Sequence, residues 1–153
     1  MDNSIQLVIF ILDNHKFALP LSSVERVIRL VEITHLPKAP EIVIGIVNMH
    51  GRVIPVVNIR KRFRLPEREI ELTDQIVILQ AKKNTIGAVV DTVSGVFEYP
   101  EQKIIKPENI LPGIEYIEGV VKLEDGLILI HNIDRFLSLE EERMLNDVIN
   151  KKI

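Results

Sequence analysis

Apolar residues in this chain come in short bursts rather than at helical spacing. Runs of Val, Ile, Leu and Phe occupy residues 7–12, 17–19, 24–31, 44–49, 53–59, 76–81, 86–90, 93–99, 116–123 and 127–131. β-Branched side chains are prominent in them, and these suit a pleated, half-buried surface better than a helix. Between the bursts stand turn formers: Asp13 and Asn14, Pro37, Pro40, Asn84, Pro107, Pro112 and Gly113, Asp125 and Gly126. Many short strands punctuated in this way predict a barrel or sandwich. A single helix is predicted, over 138–151 at the end of the chain. Ser138 is its N-cap, Glu141 completes a capping box, and Met144, Leu145, Val148 and Ile149 share one face.

The stretch 41–63, EIVIGIVNMHGRVIPVVNIRKRF, is the most informative segment. Two apolar runs, 42–47 and 53–59, flank a polar turn at 48–52, so it reads as a hairpin in which Gly51 is free to take a positive backbone dihedral. Nothing in it is a nucleophile, a metal-ligand set or a phosphate cradle. It offers shape, a stiff pair of strands with a polar tip.

The chain also repeats itself. At an offset of 69, Leu7-Val8-Ile9-Phe10 falls on Ile76-Val77-Ile78-Leu79, Phe17 on Ile86, Val24 on Val93, and Val27-Ile28 on Val96-Phe97. At an offset of 74, Gly45 falls on Gly119, Val47 on Val121, Ile54 on Ile128, and Asn58-Ile59 on Asn132-Ile133. Two similar small β units follow, approximately 1–66 and 74–137, joined by a polar linker at 65–74. Neither is large enough to hold much core alone, so they are expected to pack on each other.

Composition narrows the function classes. The 153 residues carry a net charge of −3, too balanced to steer the chain to nucleic acid or an anionic membrane. The absence of cysteine removes disulfides and thiolate chemistry and fits a reducing cytosol, so a cytoplasmic protein is expected. The apolar run at 7–12 lacks a basic flank and is too short to span a bilayer.

Candidate chemistry is sparse. The seven glycines form no dinucleotide or nucleotide-phosphate motif, and no nucleophile elbow surrounds a serine. His15, His35, His50 and His131 are isolated, which favours structural or surface roles over a metal site. Asp91 lies between two apolar runs and reads as a turn residue rather than a general base. The basic cluster RKRFR at 60–64 reads as a solvated barrel end or an edge-protecting charge patch. No catalytic residue, metal or cofactor is expected.

At this point the pattern resembles a known family, the CheW-like coupling domain of chemotaxis adaptors and of the regulatory region of CheA-type histidine kinases. Gly45 to Gly51, GIVNMHG, is similar to the family's G-V-x-N-L-R-G, and 53–63, VIPVVNIRKRF, to its V-x-P-V-I-D-L-R-x-x-F. Upstream, 17–28, FALPLSSVERVI, resembles Y-G-I-x-V-x-x-V-x-E-I; downstream, 87–96, GAVVDTVSGV, resembles G-x-x-V-D-x-V-x-x-V. The resemblance covers essentially the whole chain, 1–153, as a single CheW-like domain. It implies an all-β fold of two packed five-stranded SH3-like barrels with a C-terminal helix, in which segments can exchange between barrels.

The resemblance further implies a non-catalytic adaptor joining the cytoplasmic tip of a methyl-accepting chemoreceptor to a CheA-type histidine kinase, with no nucleic acid and no membrane insertion. The contact residues it points to are Val24, Val27, Gly45, Ile46, Asn48, Met49, His50, Gly51 and Val93. Two departures stand out: the family's turn arginine is here His50, and the acidic residue of the upstream motif is Arg26, with Glu25 beside it. A contact made by His50 would strengthen as pH falls from about 7.5 to 6. The competing reading from another class is a small-ligand-binding β-barrel sensor, with apolar strands lining a cavity.

Overall fold

Each apolar burst forms a strand, and the strands sort into two sheets. The computed structural model describes residues 3–82, 84–106, 117–124 and 126–152; Pro107, Pro112, Gly113, Tyr116 and Asp125 lie outside these. In chain order the elements are β1 (Ser4–Leu12), β2 (His15–Pro20), β3 (Val24–Arg29), β4 (Val43–Met49), β5 (Arg52–Val57), α1 (Ile59–Arg62), β6 (Gln75–Gln80), β7 (Thr85–Val90), β8 (Thr92–Pro100), β9 (Ile104–Ile105), β10 (Ile117–Leu123), β11 (Gly126–His131) and α2 (Leu139–Lys152). One sheet has the order β8-β1-β2-β11-β10-β9 and the other β3-β6-β7-β5-β4. The first thus holds a sixth strand, the two-residue β9, beyond the five expected.

Neither sheet is built from one half of the sequence. The six-stranded sheet takes β1 and β2 from before the linker, and the five-stranded sheet takes β6 and β7 from after it. The segments 1–66 and 74–137 therefore mark the sequence repeat, while each sheet borrows two strands across it.

Strand register reproduces the repeat residue by residue. Val24 stands opposite Leu79, and its counterpart Val93 opposite Phe10. Gly87 stands parallel to Val56, and the counterpart pair is Ala18 with Ile130. The irregularities recur as well: β4 is bulged between Val43 and Gly45, β10 between Ile117 and Gly119. A bulge inserts an unpaired residue and bends the strand, so matching bulges give the two sheets the same bend.

Alternation along the strands divides the core into three. Leu7, Ile9, Ala18, Val121, Ile128 and Ile130 fill one face of the six-stranded sheet. Val47, Ile54, Val56, Ile76 and Ile78 fill one face of the other. The remaining faces meet in a shared core that joins Phe10, Leu12, Phe17 and Leu19 to Val57, Val77, Leu79 and Val90. Phe10 and Phe136 are among its fully buried members, and each burial contributes roughly 1.5–3 kcal/mol.

The run 53–59 does not continue as a strand to its end. The strand stops at Val57, and Asn58 turns the chain into the one-turn helix α1 by accepting a hydrogen bond from the Lys61 N–H at 3.1 Å. Its repeat counterpart Asn132 caps a 3₁₀ turn at Ile133–Arg135 in the same way. The capping box of α2 forms as expected: the Ser138 hydroxyl accepts from the Glu141 N–H at 3.1 Å, and the Glu141 carboxylate accepts from the Ser138 N–H at 2.8 Å. Leu145, Val148 and Ile149 pack against the shared core, whereas Met144 is exposed.

Candidate partner-binding site

The β4–β5 hairpin ends in a two-residue loop, His50 and Gly51, between the paired residues Met49 and Arg52. Both loop residues have positive φ, 53° for His50 and 85° for Gly51. Two positive φ values in sequence are the mark of the tight I′ loop, whose twist matches the strands it joins. The turn is thus tighter than the expected 48–52, and His50 shares the left-handed conformation with Gly51. The side chain of Asn48 locks the loop by accepting from the Gly51 N–H at 3.0 Å. Asn48, His50 and Gly51 are exposed, and Met49 packs partly against the core of the five-stranded sheet.

Gly45 plays a different part. A Cβ there would lie 2.3 Å from the carbonyl oxygen of Thr34, which accepts from the Ile46 N–H while the Thr34 N–H donates back to Ile46. Gly45 is therefore the point where two backbones close on each other, and it is buried rather than presented to a partner.

Val24, Ile46 and Val93 pack at the partly exposed rim of the shared core. Val27, opposite Val77 on β3, is 36% exposed. A residue absent from the expected set belongs beside it. Val96, the repeat counterpart of Val27, stands opposite Val8 on β8 and is 54% exposed. The offset of 69 already paired Val27 with Val96, so the signal was present in the sequence. Val24, Val27, Val93 and Val96 thus occupy equivalent places on β3 and β8, each the edge of its sheet.

Beside the hairpin tip, Arg52 donates from Nη1 to Glu25 Oε2 at 2.8 Å and from Nη2 to Glu25 Oε1 at 3.1 Å. Nη2 also donates to the Thr85 hydroxyl at 3.3 Å, and that hydroxyl donates to Gln80 at 2.7 Å. Glu25 is the extra residue of the β3 bulge, between Val24 and Arg26, which re-aims its side chain. The hydrogen bond from Arg52 lowers the Glu25 carboxyl below its ordinary range.

The basic cluster at 60–64 is not a uniformly solvated patch. Arg60 is only 8% exposed and donates to Asp13 at 2.7 Å, to Asp91 at 2.6 Å and to the Pro66 carbonyl at 3.1 Å. Arg68 from the linker binds both Asp74 and Asp91. Burial pushes the Asp91 carboxyl up, but the Asp13 N–H and the two guanidiniums outweigh it and hold it below the carboxylate range. Asp91 is a turn residue, as expected, and also the hub that ties the linker to both sheets. Arg62 pairs with Glu141 on α2, and Arg64 is exposed.

His131 is 1% exposed, with its ring stacked on Phe63 at 4.0 Å and near Phe17 at 5.3 Å. Burial pushes its pKa down to about 3. It is a neutral member of an aromatic cluster that carries Phe136 beneath α2.

Among the described residues no group of three or more His, Cys, Asp or Glu is placed to hold a metal, and no helix is long and apolar enough to cross a membrane. The candidate site is a surface: a hairpin tip and the valine-lined rims of two edge strands.

The chain has known relatives. A family model for the CheW-like domain matches residues 6–141. The chain belongs to the CheW-like domain family. The chemotaxis protein CheW of Treponema pallidum is 29% identical over 150 residues, covering 94% of this chain and 88% of the relative. CheW of Thermotoga maritima is also 29% identical, over 132 residues, covering 86% and 87% respectively. Among solved structures, the scaffolding protein TtCheW of Thermoanaerobacter tengcongensis superposes with a TM-score of 0.81 at 28% identity, covering 92% of this chain and 96% of that one. The role of a CheW-like chain is chemotaxis signalling by scaffolding rather than by catalysis.

Proposed function

We propose that this chain couples the cytoplasmic tip of a chemoreceptor to the regulatory domain of a CheA-type histidine kinase, at the cytoplasmic face of a receptor array. The observation that carries the reading is the matched pair of apolar rims, Val24 and Val27 on β3 with Val93 and Val96 on β8. Exposed valines at equivalent places on two sheet edges suit a helical partner laid against the junction between the sheets. Ile46 and Met49 extend the apolar surface toward the hairpin, and Asn48 and Gly51 shape its polar end, where His50 is the exposed loop residue. Gly45 contributes by shaping the strand that holds them.

The small-ligand reading is weaker because one face of each sheet carries its own packed apolar cluster. Titration of the purified chain with a soluble receptor-tip fragment, and separately with the kinase regulatory domain, tests the proposal. Saturable binding to both is expected, with Val27→Asp together with Val96→Asp abolishing the receptor arm while leaving the melting temperature intact. Loss of neither interaction in that double variant would remove the rims from the site.

A further inference from the structure

Two departures from the family pattern bear on the hairpin tip. Position 50, where the pattern has arginine, holds His50; position 26, where it has an acid, holds Arg26. Yet a base and an acid do meet beside this hairpin tip, each displaced along its own strand: Arg52 stands two residues after the loop position, Glu25 one residue before the motif position, and they form a bidentate pair. We infer that Arg52, oriented by Glu25, is this chain's charged contact to the bound receptor tip, in place of a turn residue at position 50. The inference rests on the adaptor reading above.

Geometry and chemistry both favour Arg52 over His50. The Arg52 side chain is 47% exposed although it is held on three sides, by Glu25, Thr85 and the strand that carries it. A guanidinium has five N–H donors; three are used internally here, so two remain for an acceptor oxygen, a carboxylate or backbone carbonyl, on the partner. A fork already fixed by a carboxylate loses little further freedom when it binds. His50, by contrast, has no hydrogen bond or ion pair that orients it in the way Glu25 orients Arg52. Arg52 also keeps its charge at every pH in which the protein is folded, and Glu25, lowered by its bond to Arg52, stays ionised through neutrality. A contact made by this pair therefore does not change between pH 7.5 and 6.

The test compares wild type, Arg52→Gln, His50→Ala and the exchange variant Glu25→Arg with Arg52→Glu, each titrated against one soluble receptor-tip fragment at pH 7.5 and 6. The exchange rebuilds the ion pair with its ends reversed, so it separates positioning of the partner from simple bracing of the fold. Expected are pH-independent wild-type affinity, at least a tenfold loss in Arg52→Gln, less than a twofold change in His50→Ala, and a comparable tenfold loss in the exchange variant at an unchanged melting temperature. Wild-type affinity in the exchange variant, or in Arg52→Gln, overturns the inference while leaving the adaptor reading standing. Affinity that rises toward pH 6 and depends on His50 overturns it equally. A wild-type chain that binds no receptor fragment overturns the adaptor reading and takes this inference with it.

Discussion

The two hairpins of this molecule, β4–β5 and β10–β11, are built alike and finished differently. Each has the same bulge and the same buried glycine, Gly45 in one and Gly119 in the other, pressed against a passing segment of chain. At their ends the likeness stops. The first carries His50, Gly51 and Arg52 with Glu25 reaching across from β3; at the matching offsets the second has Glu124, Asp125 and Gly126, with Ser94 in the place of Glu25. Positions where the copies agree are those of close approach, core and capping, such as Gly45 and Gly119, Ile54 and Ile128, Asn58 and Asn132. Among the described residues, the positions where the tips differ are exposed, so packing leaves them free to take on a partner-specific role.

The glycines offer the sharpest way to break that comparison. In Gly45→Ala the new Cβ meets the Thr34 carbonyl, a backbone atom that cannot step aside, so a loss of about 3 kcal/mol is expected. In Gly119→Ala it meets the Ile104 Cγ2 methyl at 2.7 Å and the Ile105 carbonyl oxygen only at 3.3 Å, so the main clash is with a side chain and the loss falls to about 1–2 kcal/mol. At Gly51 the space is open and only the positive φ opposes a side chain, costing roughly 1–2 kcal/mol. Urea unfolding of the three variants checks the order; equal losses at Gly45 and Gly51 would show that contact with Thr34 is not what excludes a side chain.

The linker network comes next. Asp91→Ala leaves the nearly buried Arg60 with Asp13 as its remaining carboxylate and frees Arg68 from one of its two carboxylate partners. A loss of about 2–3 kcal/mol is expected, because the cost is that of an imperfectly compensated charge rather than of a surface pair. Increased proteolysis within 65–74, measured by mass spectrometry, would localise the effect to the linker. Unaltered cleavage there would place the anchoring elsewhere.

A smaller effect depends on pH. His131 is lowered to about 3 in the folded state, against roughly 6.5 in the unfolded chain. The unfolded state therefore binds the extra proton first, and stability falls as pH drops below about 6.5, by up to ~1.4 kcal/mol per pH unit. Asp91, lowered by its partners, contributes only below the ordinary aspartate pKa of about 4, so between pH 6.5 and 5 the histidine acts without it, opposed by the Glu118 carboxyl that burial raises. His131→Phe should flatten that slope. A slope that persists in the variant would assign it to other groups. Smallest of all is the effect of Arg52→Gln on folding. The pair is solvent-screened, so no resolvable change in melting temperature is expected, in contrast to its effect on binding.

Much of this was legible in one dimension. Strands followed from β-branched bursts, the C-terminal helix from Ser138 and Glu141, and the repeat from two offsets that strand register then reproduced. Less of the site was. Val96 is visible as the counterpart of Val27, but a valine in a strand gives no sign of which face is covered. Gly45 was grouped with contact residues, although its neighbour Thr34 lies 11 residues away on a segment that forms no named strand.

By itself the sequence determined what short-range physics controls: which segments are extended, where the chain turns, where the helix begins, and that no familiar catalytic motif is present. Periodicity, β-branching and capping act within a few residues, so they can be read in order along the chain. Only the tertiary structure decided which strands share a sheet, that Arg60 leaves its basic cluster to be buried between Asp13 and Asp91, and that Arg52 meets Glu25. Those partners are 27 to 47 residues apart. Their meeting depends on two halves exchanging strands, and no local preference encodes that exchange. It follows from burying a second apolar face of the central strands in a core that both sheets share, in a chain of this length.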